Sequence, residues 1–390
     1  MDFRFSERTK WNLGENRLSK LLEQELSRGA EIFDLTESNP TRVGLIFPEV
    51  AEIIARHLKD SLIYEPNAKG LLAARQAVSE YYNEHGASVE TERVYLTAST
   101  SEAYTHLFRL VTIPGDRVLV PKPSYPLFDY LAQLCDVTAD RYPLAYDRVW
   151  RIDRDAFATA FTKTTRAVIV VRPNNPTGSY FSDDDLKYVD RQCAERGIAL
   201  ICDEVFLDYS LKDGPPKPSA LSVCDQSLTF ALSGISKFLA LPQLKLGWIA
   251  VAGPPELRNP AMERLEVIAD TFLSVNTPVQ QALPELMKHR GKIQEQILRR
   301  IRTNWEAAHA AFDGPPNVSI LPPEGGWCAV VRLPNLRTDE EWALELLKSA
   351  GVLVHPGYFY DFEEEGNIVI SLLPEPAVLS RALEKITAQL

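Results

Sequence analysis

Short apolar runs alternating with helical segments predict an α/β fold, with a mostly parallel central sheet flanked by helices and a smaller α+β unit behind it. Two observations carry this. The runs Ala167-Val168-Ile169-Val170-Val171 and Ile198-Ala199-Leu200-Ile201-Cys202 are continuously apolar, as strands buried on both faces of a parallel sheet are. A helix-like segment near 182–196 separates them, long enough for a crossover connection.

The elements follow in order. An arm opens the chain, with a helix near 18–26 and a turn at Asn39-Pro40-Thr41. Helices are expected at 49–59, 70–85, 101–112, 125–134, 153–162 and 182–196. Strands are expected at 94–97, 117–120, 167–171, 198–202, 227–232 and 246–251. Pro254-Pro255 ends the last of these, and a helix of about 15 residues follows. After Asn276-Thr277-Pro278 one long helical stretch is expected at 279–312, then a break at Asp313-Gly314-Pro315-Pro316. The remainder reads as strands near 327–333, 352–354 and 367–372, with helices near 338–349 and 375–389. The division expected is an arm with part of a small domain at 1–47, a large domain at 48–275 and a small domain at 276–390.

At 390 residues the chain is long enough for about two domains. A net charge of -11 leaves no basic surplus to neutralise phosphates, so no nucleic-acid partner is expected. The cysteines Cys135, Cys193, Cys202, Cys224 and Cys328 are scattered and form no C-x-x-C pair. That pattern fits a reducing compartment and neither a disulfide framework nor a zinc site. No secretory apolar region opens the chain and no run of about 18 apolar residues occurs, so a cytoplasmic protein without membrane contact is expected.

Three groups stand where α/β sheets bind ligands, just past strand ends. Lys237 follows Ser233-Gly234-Ile235-Ser236, and Lys245 precedes Leu246-Gly247-Trp248. Asp203 closes the run ending at Cys202, and Asn175 sits in Pro173-Asn174-Asn175-Pro176-Thr177-Gly178. An amine nucleophile, a carboxylate to hold a ring nitrogen charged, and an amide are the parts needed to hold pyridoxal 5'-phosphate. Each also has a plainer reading: surface lysines, an aspartate N-cap, an Asx turn. Ser99-Thr100-Ser101 stand between a strand and a helix, where free N–H groups and hydroxyls bind anions or simply cap. Tyr125 could stack on a flat ring or pack as core, and Tyr64, in Tyr64-Glu65-Pro66-Asn67-Ala68-Lys69-Gly70, is weaker by itself.

In order and spacing these strings resemble the class I/II aminotransferases, fold-type-I enzymes dependent on pyridoxal phosphate, over roughly residues 30 to 375. The resemblance implies an amino-group transfer between an amino acid and a 2-oxo acid by a ping-pong mechanism. It implies that Lys237 is the Schiff-base lysine and proton carrier, and that Asp203 partners the pyridine nitrogen. Asn175 would bind the 3-oxygen and Tyr125 would stack on the ring. Ser99, Thr100, Ser101, Ser233, Ser236 and Lys245 would surround the phosphate. Tyr64 would reach the phosphate of a neighbouring subunit, which implies a homodimer.

Two departures stand out. The family's tyrosine three residues after the aspartate is Phe206 here, so one hydrogen bond to the 3-oxygen is missing. Its loss should raise the pKa of the lysine–cofactor imine. The arginine of the family's Arg-x-Ser, which clamps the substrate carboxylate, is replaced by Val369 in Asn367-Ile368-Val369-Ile370-Ser371, and no arginine occurs from Thr338 to Ser380. Arg42 and Arg172 are candidate substitutes. The second departure gives weight to a lyase, decarboxylase or racemase of the same fold, which use nearly the same cofactor residues. A cofactor-binding regulatory module is a further alternative, for which the short acidic arm leaves little room. Tyr358, Phe359 and Tyr360 could line a pocket or pack the small unit.

Overall fold

Eight strands form the central sheet of the computed structural model, which describes residues 3–47, 49–314 and 317–390. Their spatial order is Val94–Thr97, Gly247–Ala252, Thr229–Gly234, Ala199–Asp203, Thr165–Val171, Arg117–Lys122, Thr138–Asp147, Val149–Ile152. The middle of the sheet is parallel. Gly247–Ala252 runs against both of its neighbours, and Val149–Ile152 folds back on Thr138–Asp147. The continuous apolar runs have the burial that the sequence predicts. Val168, Val170, Leu200 and Cys202 pack with Leu186, Val189 and Cys193 on one face. Ile169, Val171 and Ile201 pack with Ala103, Leu107 and Leu265 on the other. With side chains alternating across a strand, only a sheet covered on both faces uses such runs.

A second sheet of four strands has the order Ser319–Leu321, Cys328–Arg332, Asn367–Ser371, His355–Pro356, all antiparallel. A separate two-stranded parallel sheet pairs Phe33–Asp34 of the arm with Val352–Leu353. Helix Pro376–Thr387 packs against the long helix Arg290–Phe312.

Besides the short strands Phe33–Asp34 and Ser319–Leu321, which the sequence reading lacks, three features differ from it. The expected single helix at 279–312 is two helices, Thr277–Lys288 and Arg290–Phe312, parted at His289. The first packs on Val50–His57 and Leu72–Glu84, the second on Pro376–Thr387, so the two answer to different surfaces. The hairpin Thr138–Asp147 and Val149–Ile152 was not expected, because its edge position lets it carry charge. Arg141, for instance, is held by Asp129 and Asp361. The helix near 338–349 is α-helical only over Asp339–Glu345 and closes with a π-turn at Leu346–Ala350. Pro315 and Pro316 of the predicted break lie outside the described residues. Among the described residues no helix is long and apolar enough to cross a membrane.

Candidate active site

The strand Ala199–Asp203 lies between two parallel neighbours, with Asp203 beside Val171 on one side and Leu232 on the other. All three residues therefore stand at the same edge of the sheet. A cavity of about 410 Å³ opens there, and its wall includes Thr100, Ser101, Tyr104, Tyr125, Asn175, Asp203, Phe206, Ser236 and Lys237. The second sheet supplies the opposite wall with Cys328, His355, Val369 and Ser371, joined by Trp327 and Tyr360 from the segments beside it. The volume is within the ~300–1,000 Å³ usual for small-molecule sites.

Asp203 is buried, and burial pushes its carboxyl up to about 6. Two donors oppose that: Val205 N–H gives a bond of 3.1 Å to Oδ1 and the Tyr104 hydroxyl one of 2.9 Å to Oδ2. Among the described residues no cation pairs with this carboxylate. The neighbouring Glu204 is also buried, but it is saturated by the Ser219 hydroxyl at 2.8 Å and Ala220 N–H at 2.6 Å. It is a brace for the segment that follows.

Lys237 stands in the short helix Ile235–Phe238 directly after Thr229–Gly234. A Cβ at Gly234 would lie 2.9 Å from both Gly247 Cα and Leu246 O, so glycine lets the two strands close at this turn. Burial lowers the Lys237 ammonium pKa, and no acidic carboxylate acts against it. Its Nζ lies 4.9 Å from the Trp327 ring centroid and 5.6 Å from that of Phe206. The Tyr209 hydroxyl donates to Lys237 O at 2.6 Å, and the Tyr209 ring packs on Trp327 at 5.1 Å. This aromatic wall keeps water from the amine. Beside it the Cys328 thiol is raised by burial to about 11, so it stays a neutral neighbour at pH 7.

The loop carrying Asn175 is locked against the segment before Trp327. Gly178 adopts φ 66, and a Cβ there would stand 2.5 Å from Gly325 O. Glu324 and Gly325 N–H both donate to Gly178 O, at 3.0 and 2.9 Å. The first turn of helix Thr100–Val111 faces the cavity with Thr100 and Ser101, whose N–H groups have no acceptor within a helix. Gly247 allows the close approach of the sheet here, since a Cβ would lie 3.2 Å from Thr100 N.

The remaining expected residues stand off the cavity wall in the single chain. Ser99 is the helix N-cap, its side chain accepting from Glu102 N–H at 3.1 Å. Ser233 is buried beside Gly234 with an unpartnered hydroxyl, and Lys245 is exposed in a left-handed conformation with φ 52. Tyr64 is 74% exposed and borders a separate crevice with His106 and Leu273. Arg42 is exposed and away from the wall. Arg172 is buried but engaged, donating to Phe181 O, Pro218 O and Asp183.

A family profile described as aminotransferase class I and II matches residues 30–386. The chain belongs to the class I and II aminotransferases. It moves an amino group between an amino acid and a 2-oxo acid, as that family does. The alanine aminotransferase of Mycobacterium tuberculosis is 27% identical over 371 residues, covering 92% of this chain and 86% of that protein. The glutamate–pyruvate aminotransferase of Escherichia coli is 26% identical over 375 residues, covering 94% and 91%. These relatives do not favour the lyase, decarboxylase and racemase alternatives. The alanine aminotransferase structure from Pyrococcus furiosus superposes with a TM-score of 0.90 over 99% of each chain. At 23% identity that likeness speaks for the fold.

Within this aminotransferase, Tyr104, Trp327, Cys328 and His355 were not singled out from sequence. Tyr104 stands one turn into the helix that begins at Thr100, and that spacing was the available signal. The other three are brought in by pairing of the second sheet, which leaves no local mark.

Proposed function

We propose that this aminotransferase works with pyridoxal 5'-phosphate held in the cavity between the two sheets. The observation that carries the reading is the convergence of Lys237, Asp203 and Asn175 on one cavity. Several groups there are incomplete without a ligand. Among the described residues the buried Asp203 carboxylate has no cation and the buried Asn175 Oδ1 no partner, and off the cavity wall Ser233 Oγ is likewise unpaired. A ligand with a basic ring nitrogen answers the carboxylate, its phenolic oxygen can accept from Asn175 Nδ2, and its phosphate can accept from the Ser233 hydroxyl. When bound, it supplies an electron sink for the amino acid's α-carbon.

The residues then divide the work. Asp203, oriented by Tyr104 and Val205, holds a positive charge at the ring nitrogen. Lys237 would hold the cofactor's aldehyde carbon and carry a proton at the substrate α-carbon, a task its lowered pKa favours. Asn175 donates to the 3-oxygen, and Tyr125 and Phe206 bound the ring. Thr100, Ser101 and Ser236 meet the phosphate at the helix N-terminus, with Ser99, Ser233 and Lys245 around them. We assign Tyr64 to the phosphate site of a second subunit. The exposure of Leu62, Ile63 and Tyr64 in one stretch supports such a homodimer. The unpaired state of all five cysteines supports the cytoplasm as its compartment.

The names of the relatives make alanine, glutamate and pyruvate the first compounds to assay. Alanine added to purified protein should shift the absorbance of bound cofactor, and pyruvate should reverse the shift. Lys237→Ala should abolish both. A lysine variant with unchanged activity would defeat the proposal.

A further inference from the structure

We propose that His355, with the Ser371 hydroxyl beside it, binds the substrate carboxylate in place of an arginine. The inference rests on the cofactor reading above and deepens it. Val369 occupies the position at which the family's carboxylate-clamping arginine is expected. In the second sheet His355 is the direct cross-strand partner of Val369. Residues directly opposite each other in an antiparallel pair project on the same face. Both line the cavity, so the ladder delivers an imidazole to the spot vacated by the arginine.

The alternatives on the wall are few. Among the described residues lining the cavity, the only lysine is Lys237 and there is no arginine. Arg42 stands away from the wall and the Arg172 guanidinium is engaged elsewhere. His355 is half-buried, its ring bracketed by Phe359 at 5.8 Å and Tyr360 at 5.9 Å between centroids. None of the hydrogen bonds among the described residues uses its ring nitrogens. A neutral imidazole already offers one N–H, so the group can donate to a carboxylate in either protonation state. Burial lowers its pKa while the Asp34 carboxylate raises it, an arrangement in which an anion on the cavity side finds a ready donor. Ser371 is buried and lines the same wall. Its oxygen accepts from Leu373 N–H at 3.2 Å, which leaves the hydroxyl proton for a second contact.

An imidazole and a hydroxyl lack the paired, permanently charged fork of a guanidinium. The site should therefore favour an amino acid over the amine without a carboxylate, but through contacts that a single substitution can remove. The test compares alanine with ethylamine in the cofactor half-reaction of the holoenzyme, for wild type, His355→Ala and His355→Gln. Loss of a hydrogen bond to a charged group predicts a roughly tenfold to hundredfold fall in kcat/KM for alanine in His355→Ala. Ethylamine should change by less than about threefold, and His355→Gln, which keeps an N–H donor, should recover part of the loss. Equal losses for both amines would make His355 merely structural, and no loss for alanine would place the carboxylate elsewhere; either overturns the proposal. Propionate binding, followed by imidazole NMR shifts, checks the contact without turnover: it should weaken by a similar factor in His355→Ala, and unchanged affinity counts against it. A wild type whose cofactor answers no amino donor would instead sink the earlier cofactor reading.

Discussion

Replacing Asp203 with Asn should shift the stability of the cofactor-free protein in the variant's favour by an amount that grows with pH. Burial raises the Asp203 carboxyl from 3.8 to about 6, against the pull of Val205 N–H and the Tyr104 hydroxyl. The folded chain therefore holds this proton more tightly than the unfolded chain does. Its relative stability is full below pH 3.8 and is lost as pH rises through about 6. The shift of about 2 pH units corresponds to roughly 3 kcal/mol once the group is ionised in both states. At pH 4 the same two pKa values leave only about 0.5 kcal/mol of that cost. Asn cannot ionise, and its one accepting oxygen serves only one of the two donors. That second effect is a constant penalty, so the difference between two pH values removes it. Urea unfolding of dialysed protein should show the Asn variant gaining about 2.5 kcal/mol on wild type between pH 4 and pH 8. The same variant should lose most transaminase activity. A stability difference that does not move with pH would refute the picture of a strained, ionised carboxylate awaiting a cation.

Two further substitutions probe the same cavity. Tyr104→Phe leaves Asp203 with the Val205 N–H alone. A hydrogen bond to a charged group is worth about 1.5–3 kcal/mol, so cofactor affinity at pH 7 should fall roughly tenfold or more. Unchanged affinity in an equilibrium titration would remove Tyr104 from the site. Phe206→Tyr adds a hydroxyl within reach of the cavity wall. It should lower, by about one unit, the pH at which the absorbance of the lysine-bound cofactor changes. An unmoved midpoint would mean that the hydroxyl does not reach the 3-oxygen.

The parts of the fold legible in sequence are those fixed by burial alone. Residues 167–171 and 199–202 are apolar without a break because both faces of the sheet are covered there. The hairpin at 138–152 escaped notice because an edge strand obeys no such rule. Its Asp140 pairs with Arg117 and its Arg141 with two aspartates, so the charge that hid it is what the edge uses. Of the proposed site, Lys237, Asp203 and Asn175, which line one cavity, could be picked out because each follows a strand end within a recognisable string. Tyr104 was not, since a tyrosine inside a helix looks like core until its hydroxyl is seen on Asp203. His355 was out of reach altogether: its meaning comes from register with Val369, and register is a tertiary fact.

Asp203 and Glu204 argue the case for function more directly than either does alone. They are adjacent, both are buried carboxylates, and burial raises both. Glu204 is answered by a hydroxyl and a backbone N–H, with the charge of Arg172 nearby. A fold under pressure only for stability would treat both positions that way, because an ionised group without a cation weakens the folded state. Asp203 also accepts from a hydroxyl and a backbone N–H, but among the described residues no cation acts on it, and around the same cavity Lys237 lacks an acidic partner and Asn175 Oδ1 a donor. Unmet groups of opposite character, gathered in one enclosure while their neighbours are satisfied, are complementary to something outside the chain. On the proposed function, the pair separates scaffold from site within two consecutive residues: Glu204 braces the chain, and Asp203 is assigned to the ligand.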